Sequence, residues 1–536
     1  MKLISEATAE KLRGGFYTPN SIANFMLRWG INGSNNLDIL EPSCGDGVFL
    51  EELKKSNKQY NSLTAIELDE LEAQKAKKID LENTTIINDD FHAFCNNTSK
   101  RFDLVIGNPP YIRYQFFDRQ QQVAAEDIFI KAGLTYSKLT NAWVSFVVGA
   151  SLLLKEEGGK IGFVLPAEVL QVSYALQLRQ FIAHFFNKIN IISFEKLVFQ
   201  NIQQEVVLLL CEKNGNGTHN IEHIELKDAS ELESLDVARL KSPKKRIDFK
   251  SNKWTFYFLE QNEIDFLENI AKHKNIPTIG KYAKVEVGIT TGANDFFTVP
   301  LSTVEEYDLH HYAKPMVGRS VQVNSVVLTE EDWIKNKHSK AKAHLLVFPQ
   351  KQKLNQKNGA VRYIADGENN DIHKGYKTSI REDWFVVPSL KISDALFIRR
   401  NNLYPRLIIN EAKAYTTDTM HRVFIKPTTD INAFTVSYYN SLSLAFTEVC
   451  GRSHGGGVLE LMPNETEKIL LPYHKDNADL LYQIDTLIRN KTNIEDILKI
   501  TNQIILKQHY GLSDEEIDLA HNIWKKLSSR RLKRGK

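Results

Sequence analysis

Short runs of branched apolar residues alternate with amphipathic stretches through the first 215 residues. Leu37-Asp38-Ile39-Leu40, Leu63-Thr64-Ala65-Ile66, Thr85-Ile86-Ile87 and Phe102 to Gly107 each read as a buried strand. Ile22, Phe25 and Met26 recur at helical spacing after a Gly-rich approach, with Thr18 as the expected N-cap and Pro19 at the first helical position. Val48, Phe49 and Leu50 open a second helix, and Ala142 to Leu154 is an apolar one. Lys160 to Leu165, Ile191 to Glu195 and Val206 to Cys211 read as further strands. Strands and helices alternating at this length predict an α/β fold, a largely parallel sheet covered on both faces.

The pattern loosens after Lys213. Asn214 to Gly217 is a turn cluster and Lys241 to Arg246 is basic with a proline, so the first domain is placed at 1–245. Residues 246–475 carry short β-like runs (Leu345 to Phe348, Phe385 to Pro388, Leu407 to Asn410, Arg422 to Ile425) among aromatic and basic residues, as in a mixed α+β domain. Residues 476–536 turn helical and end in Lys525, Lys526, Arg530, Arg531, Lys533, Arg534 and Lys536, which reads as a disordered or phosphate-binding end.

Composition narrows the class. Hydrophobic residues make up 42% and charged residues 25% of the 536, values of a globular protein. With no run of about 18 apolar residues and no leader-like start, a cytoplasmic protein without a membrane segment is expected. Cys44, Cys95, Cys211 and Cys450 lack paired or metal-ligand spacing, so neither a disulfide framework nor a metal site is expected. A net charge of only +2 means that affinity for nucleic acid must come from a local patch.

Chemistry enters at two turns. Asn108-Pro109-Pro110-Tyr111 follows the fourth strand, where open α/β sheets bind ligands. Two prolines fix φ and remove two donors, leaving carbonyls rigidly aimed; beside them the Asn108 amide adds an acceptor and Tyr111 a flat face. That set suits an exocyclic amino group on a planar ring. The other turn, Glu41-Pro42-Ser43-Cys44-Gly45-Asp46-Gly47, joins a strand to a helix in the manner of a nucleotide cradle. Its carboxylates Glu41 and Asp46 disfavour a phosphate and favour a ligand with sulfonium or ammonium charge. Glu67, closing the second strand, stands where an acidic residue meets a ribose hydroxyl pair.

GGFYTP, EPSCGDG, the strand-end Glu67, NDDF and NPPY, in this order over residues 14–215, resemble the γ-type adenine-N6 DNA methyltransferases, the TaqI methyltransferase family. The resemblance implies a Rossmann-like sheet dependent on S-adenosylmethionine, followed by a target-recognition domain. It implies that Tyr17, Thr18 and Pro19 lie against the methionine part of the cofactor, and that Glu41, Ser43 and Gly45 line its amino-acid end. Glu67 would take the ribose, Leu68 and Phe146 would sandwich the adenine, and Asp90 and Phe91 would meet its edge. Asn108, Pro109, Pro110 and Tyr111 would hold the target base, with Phe199 as a second stacking aromatic.

The expected activity is therefore methyl transfer to adenine N6 in double-stranded DNA by a monomer from a restriction-modification system, with a cognate restriction endonuclease as a candidate partner. Two stretches, 284–297 and 451–459, resemble parts of the family's recognition domains, and Arg319, Lys374, Lys377, Arg399, Arg400, Arg406 and Arg452 are candidates for phosphate or guanine contacts. The alternatives are methylation of a protein glutamine amide or an RNA base amino group, and a DNA-binding modification subunit of a larger restriction complex. The first two leave GGFYTP and the residues after Arg246 unexplained.

Overall fold

The computed structural model describes residues 18–533 apart from 35, 138–139, 200–204, 215–216, 242, 250–252 and 355–358. They form two compact units, divided between Ile264 and Asp265.

The first unit is built on one sheet. Its strands are β1 (Asp38–Glu41), β2 (Ser62–Glu67), β3 (Thr84–Asn88), β4 (Leu104–Gly107), β5 (Lys160–Pro166), β6 (Lys188–Phe194), β7 (Val206–Glu212), β8 (Asn220–Leu226) and β9 (Lys245–Arg246), in the order β3-β2-β1-β4-β5-β7-β6-β8-β9. Strands β3 to β5 of that order are parallel, as the alternation of strands and helices predicts. Strand β7 breaks the rule by pairing antiparallel with both β5 and β6. A parallel neighbour needs a crossover of about a dozen residues or more, usually helical, and no helix is described between β6 and β7.

Two elements escape the apolar pattern. Strand β8 reads as a loop because Glu222, His223 and Glu225 interrupt its buried Ile221, Ile224 and Leu226, yet it pairs with β6 along its whole length. Strand β9 then pairs with β8. The basic stretch expected to end the first domain at 245 is thus part of its sheet, and the unit continues to Ile264.

Helices cover the sheet. They include α1 (Asn20–Ile31), α2 (Val48–Ser56), α3 (Glu70–Lys77), α4 (Phe91–Asn97), α5 (Arg119–Lys131), α6 (Ala142–Leu152) and α7 (Leu176–Phe185). Ile22, Phe25, Met26 and Trp29 bury the inner face of α1. Its start is one residue later than expected: Pro19 is the N-cap, its carbonyl accepting from the Ile22 N–H at 3.0 Å, and no side chain caps the helix. Thr18 is buried instead. Aspartates start the next helices. Asp69 accepts from the Leu71 and Glu72 N–H groups and Asp90 from the Ala93 N–H, satisfying donors that an isolated helix leaves bare.

The second unit holds three smaller sheets. A five-stranded one runs Ala283–Val287, Met420–Ile425, Ala395–Ile398, Leu407–Asn410, Val327–Leu328. Phe385 to Pro388 is not a strand: Phe385 and Val387 are core residues of an apolar cluster with Phe296, Tyr363 and Trp384. The helix Asp514–Lys533 is no loose basic tail either, since it packs on Ser441–Cys450. Arg531, 2% exposed, donates to the Glu448 carboxylate at 2.6 Å and to the Gly457 carbonyl at 2.6 Å. Residues 476–533 therefore belong to the same unit as the β-rich region. No described helix is long and apolar enough to cross a membrane.

Candidate active site

Four strands deliver the site. Glu41 ends β1, Glu67 ends β2, Asn88 ends β3 and Asn108 follows β4, all at the carboxyl edge of the parallel strands and astride the β1–β4 boundary where the strand order reverses.

The glycine turn is fixed from both sides. The Cys44 N–H donates to the Ile66 carbonyl and the Gly47 N–H to the Cys44 carbonyl, both at 2.9 Å. Gly45 and Gly47 have φ of +55° and +100°; a Cβ on Gly47 would lie 2.4 Å from the Ile79 side chain, so glycine is required there. Glu67 clasps this turn: one oxygen accepts the Gly45 N–H and the other the Asp69 N–H, each at 2.8 Å. Asn88 adds a brace that the sequence reading did not single out, its amide donating to the Glu67 and Leu68 carbonyls at 2.8 and 3.0 Å.

Three carboxylates converge at the turn. Glu41 is 1% exposed, and its Oε2 has no hydrogen-bond partner among the described residues. Burial, then the charges of Glu67 and Asp46, raise its carboxyl well above the ordinary range. Burial also raises Glu67, and burial followed by Glu72 raises Asp46. This concentration of acidic oxygen in a low-dielectric turn disfavours a phosphate and is complemented by a cation.

The second loop is tied to the first. The Ser43 hydroxyl donates to the Asn108 carbonyl at 3.2 Å, and Gly107 passes against the Pro42 ring. Tyr111 donates its hydroxyl to the Val164 carbonyl of β5 at 3.0 Å and packs against the apolar cluster that contains Phe199. Pro109 and Pro110 thus sit between an anchored Asn108 and an anchored Tyr111.

The third group is aromatic. Phe91 and Phe146 stack, ring centroids 4.8 Å apart at 28°, and Leu68 lies 59% exposed at the end of β2. His92, also absent from the sequence reading, is buried with its Nε2 at 2.8 Å from the Ser145 hydroxyl and its edge against Phe146. Asp90 faces it with 3.3 Å between Oδ1 and Nδ1, and accepts from Gln121 at 3.1 Å. Burial raises the Asp90 carboxyl, but the His92, Ala93 and Gln121 contacts outweigh it and bring it down to about 2.

The structure therefore brings Ser43 to Asn108, Gly45 to Glu67, Phe91 to Phe146, and Tyr111 to the Phe199 cluster. Tyr17 lies outside the described residues, and Thr18 and Pro19 precede α1. In the second unit most candidate basic residues are engaged internally: Arg399 and Arg400 pair with Glu460, Arg452 with Glu465 and Lys374 with Asp371, while Arg406 donates to the Ser320 carbonyl.

Known proteins match both units. The family described as Eco57I restriction-modification methylase matches residues 22–199, and that of the C-terminal domain of type II methyltransferase M.Eco57I matches residues 251–506. Type II methyltransferase M.AccI of Acinetobacter calcoaceticus is 26% identical over 471 residues, 84% of each chain. Type II methyltransferase M.HincII of Haemophilus influenzae is 30% identical over 230 residues, 42% of each chain. Among solved structures, the cryoEM DrdV–DNA complex matches with a TM-score of 0.50 at 13% identity, covering 89% of this chain and 58% of that one, a likeness of fold.

The cofactor of a methylase of this kind is S-adenosylmethionine, and the residues fit it. The unpartnered Glu41 oxygen suits an ammonium, the acidic turn suits a sulfonium, and Glu67 suits a pair of hydroxyls.

Proposed function

We propose, from the match of both units to Eco57I-type restriction-modification methylases, that the chain is a site-specific adenine-N6 DNA methyltransferase acting on an adenine flipped out of the duplex. The observation that carries this reading is the Ser43–Asn108 hydrogen bond, which joins the acidic turn to the NPPY loop in one rigid element.

When bound, S-adenosylmethionine supplies a methyl group on a sulfonium. Glu41 would hold its ammonium and Glu67 its ribose hydroxyls, while exposed Leu68 and the rim of the buried Phe91–Phe146 stack would meet its adenine. Nothing lies within 4 Å of where a Gly45 Cβ would be, so the turn borders open space at that residue.

The target amine is a poor nucleophile because its lone pair is delocalised into the ring. Asn108 Oδ1 and the Pro109 carbonyl would accept its two N–H bonds, favour a pyramidal nitrogen and stabilise the positive charge that develops as the N–C bond forms. Because a proline pair fixes those acceptors, little reorganisation accompanies the step. Flipping costs a few kcal/mol of unstacking. Tyr111 and Phe199, at about 1–3 kcal/mol per stacked aromatic, offset much of that. Tyr111 stays in place through its bond to Val164.

Residues 265–533 would read the sequence, with the 284–297 and 451–459 segments and the basic residues left over from internal pairing as the contacts. A cognate endonuclease remains a candidate partner. Incubation of the chain with duplex DNA and methyl-labelled S-adenosylmethionine tests the reading: label is expected in adenine within one recurring sequence. Label only in protein or RNA would overturn it.

A further inference from the structure

The second unit holds a cluster that the methyl-transfer reading does not use. His474 precedes the short helical segment Lys475–Leu480, and His509 ends Asn502–His509, a helix wound with π spacing. Such winding is rare and recurs at functional sites. The two imidazole rings stack with centroids 4.3 Å apart at 28°. Asp476 closes the group, its Oδ2 lying 3.7 Å from His474 Nδ1, and one ligand atom from each of the three lies within 4.8 Å of the others.

The surroundings orient the group. Asn477 is fully buried, and its amide nitrogen donates to the Ser437 hydroxyl at 2.7 Å and the Pro472 carbonyl at 3.2 Å. Its oxygen is therefore the acceptor that faces His509, 2.6 Å from Nδ1. This makes His509 Nδ1 the protonated nitrogen and leaves the Nε2 lone pair for another partner. A histidine that gives one N–H to a fixed oxygen and offers the other nitrogen is the usual arrangement of a metal ligand.

We propose that His474, Asp476 and His509 bind one divalent transition-metal ion, zinc foremost, through two imidazole nitrogens and one carboxylate oxygen. Zinc takes such ligands at about 2.0–2.2 Å, so neighbouring donors in a tetrahedral set stand about 3.3 Å apart. The His474–Asp476 separation is already close to that, and torsions of the partly exposed side chains cover the rest. Two imidazoles select zinc, cobalt or nickel over magnesium or calcium, which prefer oxygen throughout. The ion would tie the end of the 502–509 helix to the 474–477 segment, a join also made by the Tyr510 hydroxyl on the Tyr473 carbonyl at 2.8 Å. Its fourth position would be left to solvent. The site stabilises the second unit and takes no part in methyl transfer.

The test is titration of the chelator-stripped full chain with Zn2+ against a chromophoric chelator, together with thermal unfolding. One zinc per chain and a raised unfolding midpoint are expected. Asp476→Asn, at an exposed position, and His509→Gln should each weaken zinc binding at least tenfold and abolish the rise. Co2+ in place of zinc should give visible absorption of a tetrahedral site that Asp476→Asn removes. No zinc uptake by the wild type, or equal uptake by both variants, would overturn the assignment.

Discussion

The backbone N–H of Gly45 and the carboxylate of Glu67 meet at 2.8 Å, across the turn that joins β1 to α2. Glu67 is thus both the clasp of the turn and the group proposed for the ribose. Glu67→Ala should weaken S-adenosylmethionine binding by about 1.5–3 kcal/mol, the loss of a partly buried charged acceptor. Because burial raises the Glu67 pKa, wild-type affinity should begin to fall at a higher pH than an exposed glutamate would give, as protonation removes the acceptor. Calorimetry showing unchanged affinity in the variant would remove Glu67 from the site.

Glu41 carries a cost in the free protein. Its folded pKa lies above the unfolded value, so its contribution to stability is fully present below the unfolded pKa and is lost as pH rises through the folded pKa. Glu41→Gln should therefore stabilise the ligand-free chain near pH 8 by about 1–3 kcal/mol, a gain that fades toward pH 4.5. The same change should weaken cofactor binding, because the ammonium loses its counter-charge. Thermal unfolding with and without S-adenosylmethionine measures both; a variant less stable at pH 8 would contradict the account.

Tyr111 is held by its hydroxyl, and its half-buried ring is the surface proposed to stack on the flipped base. With 2-aminopurine at the target position, binding should raise fluorescence as the base leaves the stack, and Tyr111→Ala should raise it further by removing a quencher. Equal, unchanged fluorescence in both proteins would mean that the base stays in the helix.

The legible parts of this chain are those where one local rule suffices. Strand, glycine turn and helix around Gly45 and Gly47 follow from apolar runs and glycine chemistry, and Glu67 sits at the end of a six-residue strand. The reversal at β7 was not legible, since apolar runs carry no direction. Strand β8 was hidden by its glutamates, which alternate with the buried positions. His92 directly follows the NDDF stretch but shows its role only when α6 brings Ser145 and Phe146 to it. The His474–His509 pair spans a sequence gap that no spacing rule links. Arg531 looked like tail charge because its partner Glu448 is remote in sequence.

That last pair gives a stability prediction. Arg531→Ala would leave Glu448 buried, 5% exposed at its side chain, and without its counter-charge. The cost should be about 3–5 kcal/mol, read as a lowered unfolding midpoint of the second unit while S-adenosylmethionine affinity is retained. A change within about 0.5 kcal/mol, the range of ordinary surface substitutions, would show that the helix Asp514–Lys533 does not depend on this anchor.

Asn108 and its loop are proposed to activate an adenine amine. Plasmid DNA from cells expressing the wild type or Asn108→Ala, digested to nucleosides and analysed by mass spectrometry, tests it most directly. N6-methyladenine is expected from the wild type and is lost from Asn108→Ala, with S-adenosylmethionine still bound by the variant. Methylated cytosine in place of methylated adenine, or an Asn108→Ala level within about threefold of wild type, some 0.65 kcal/mol in barrier, would contradict it.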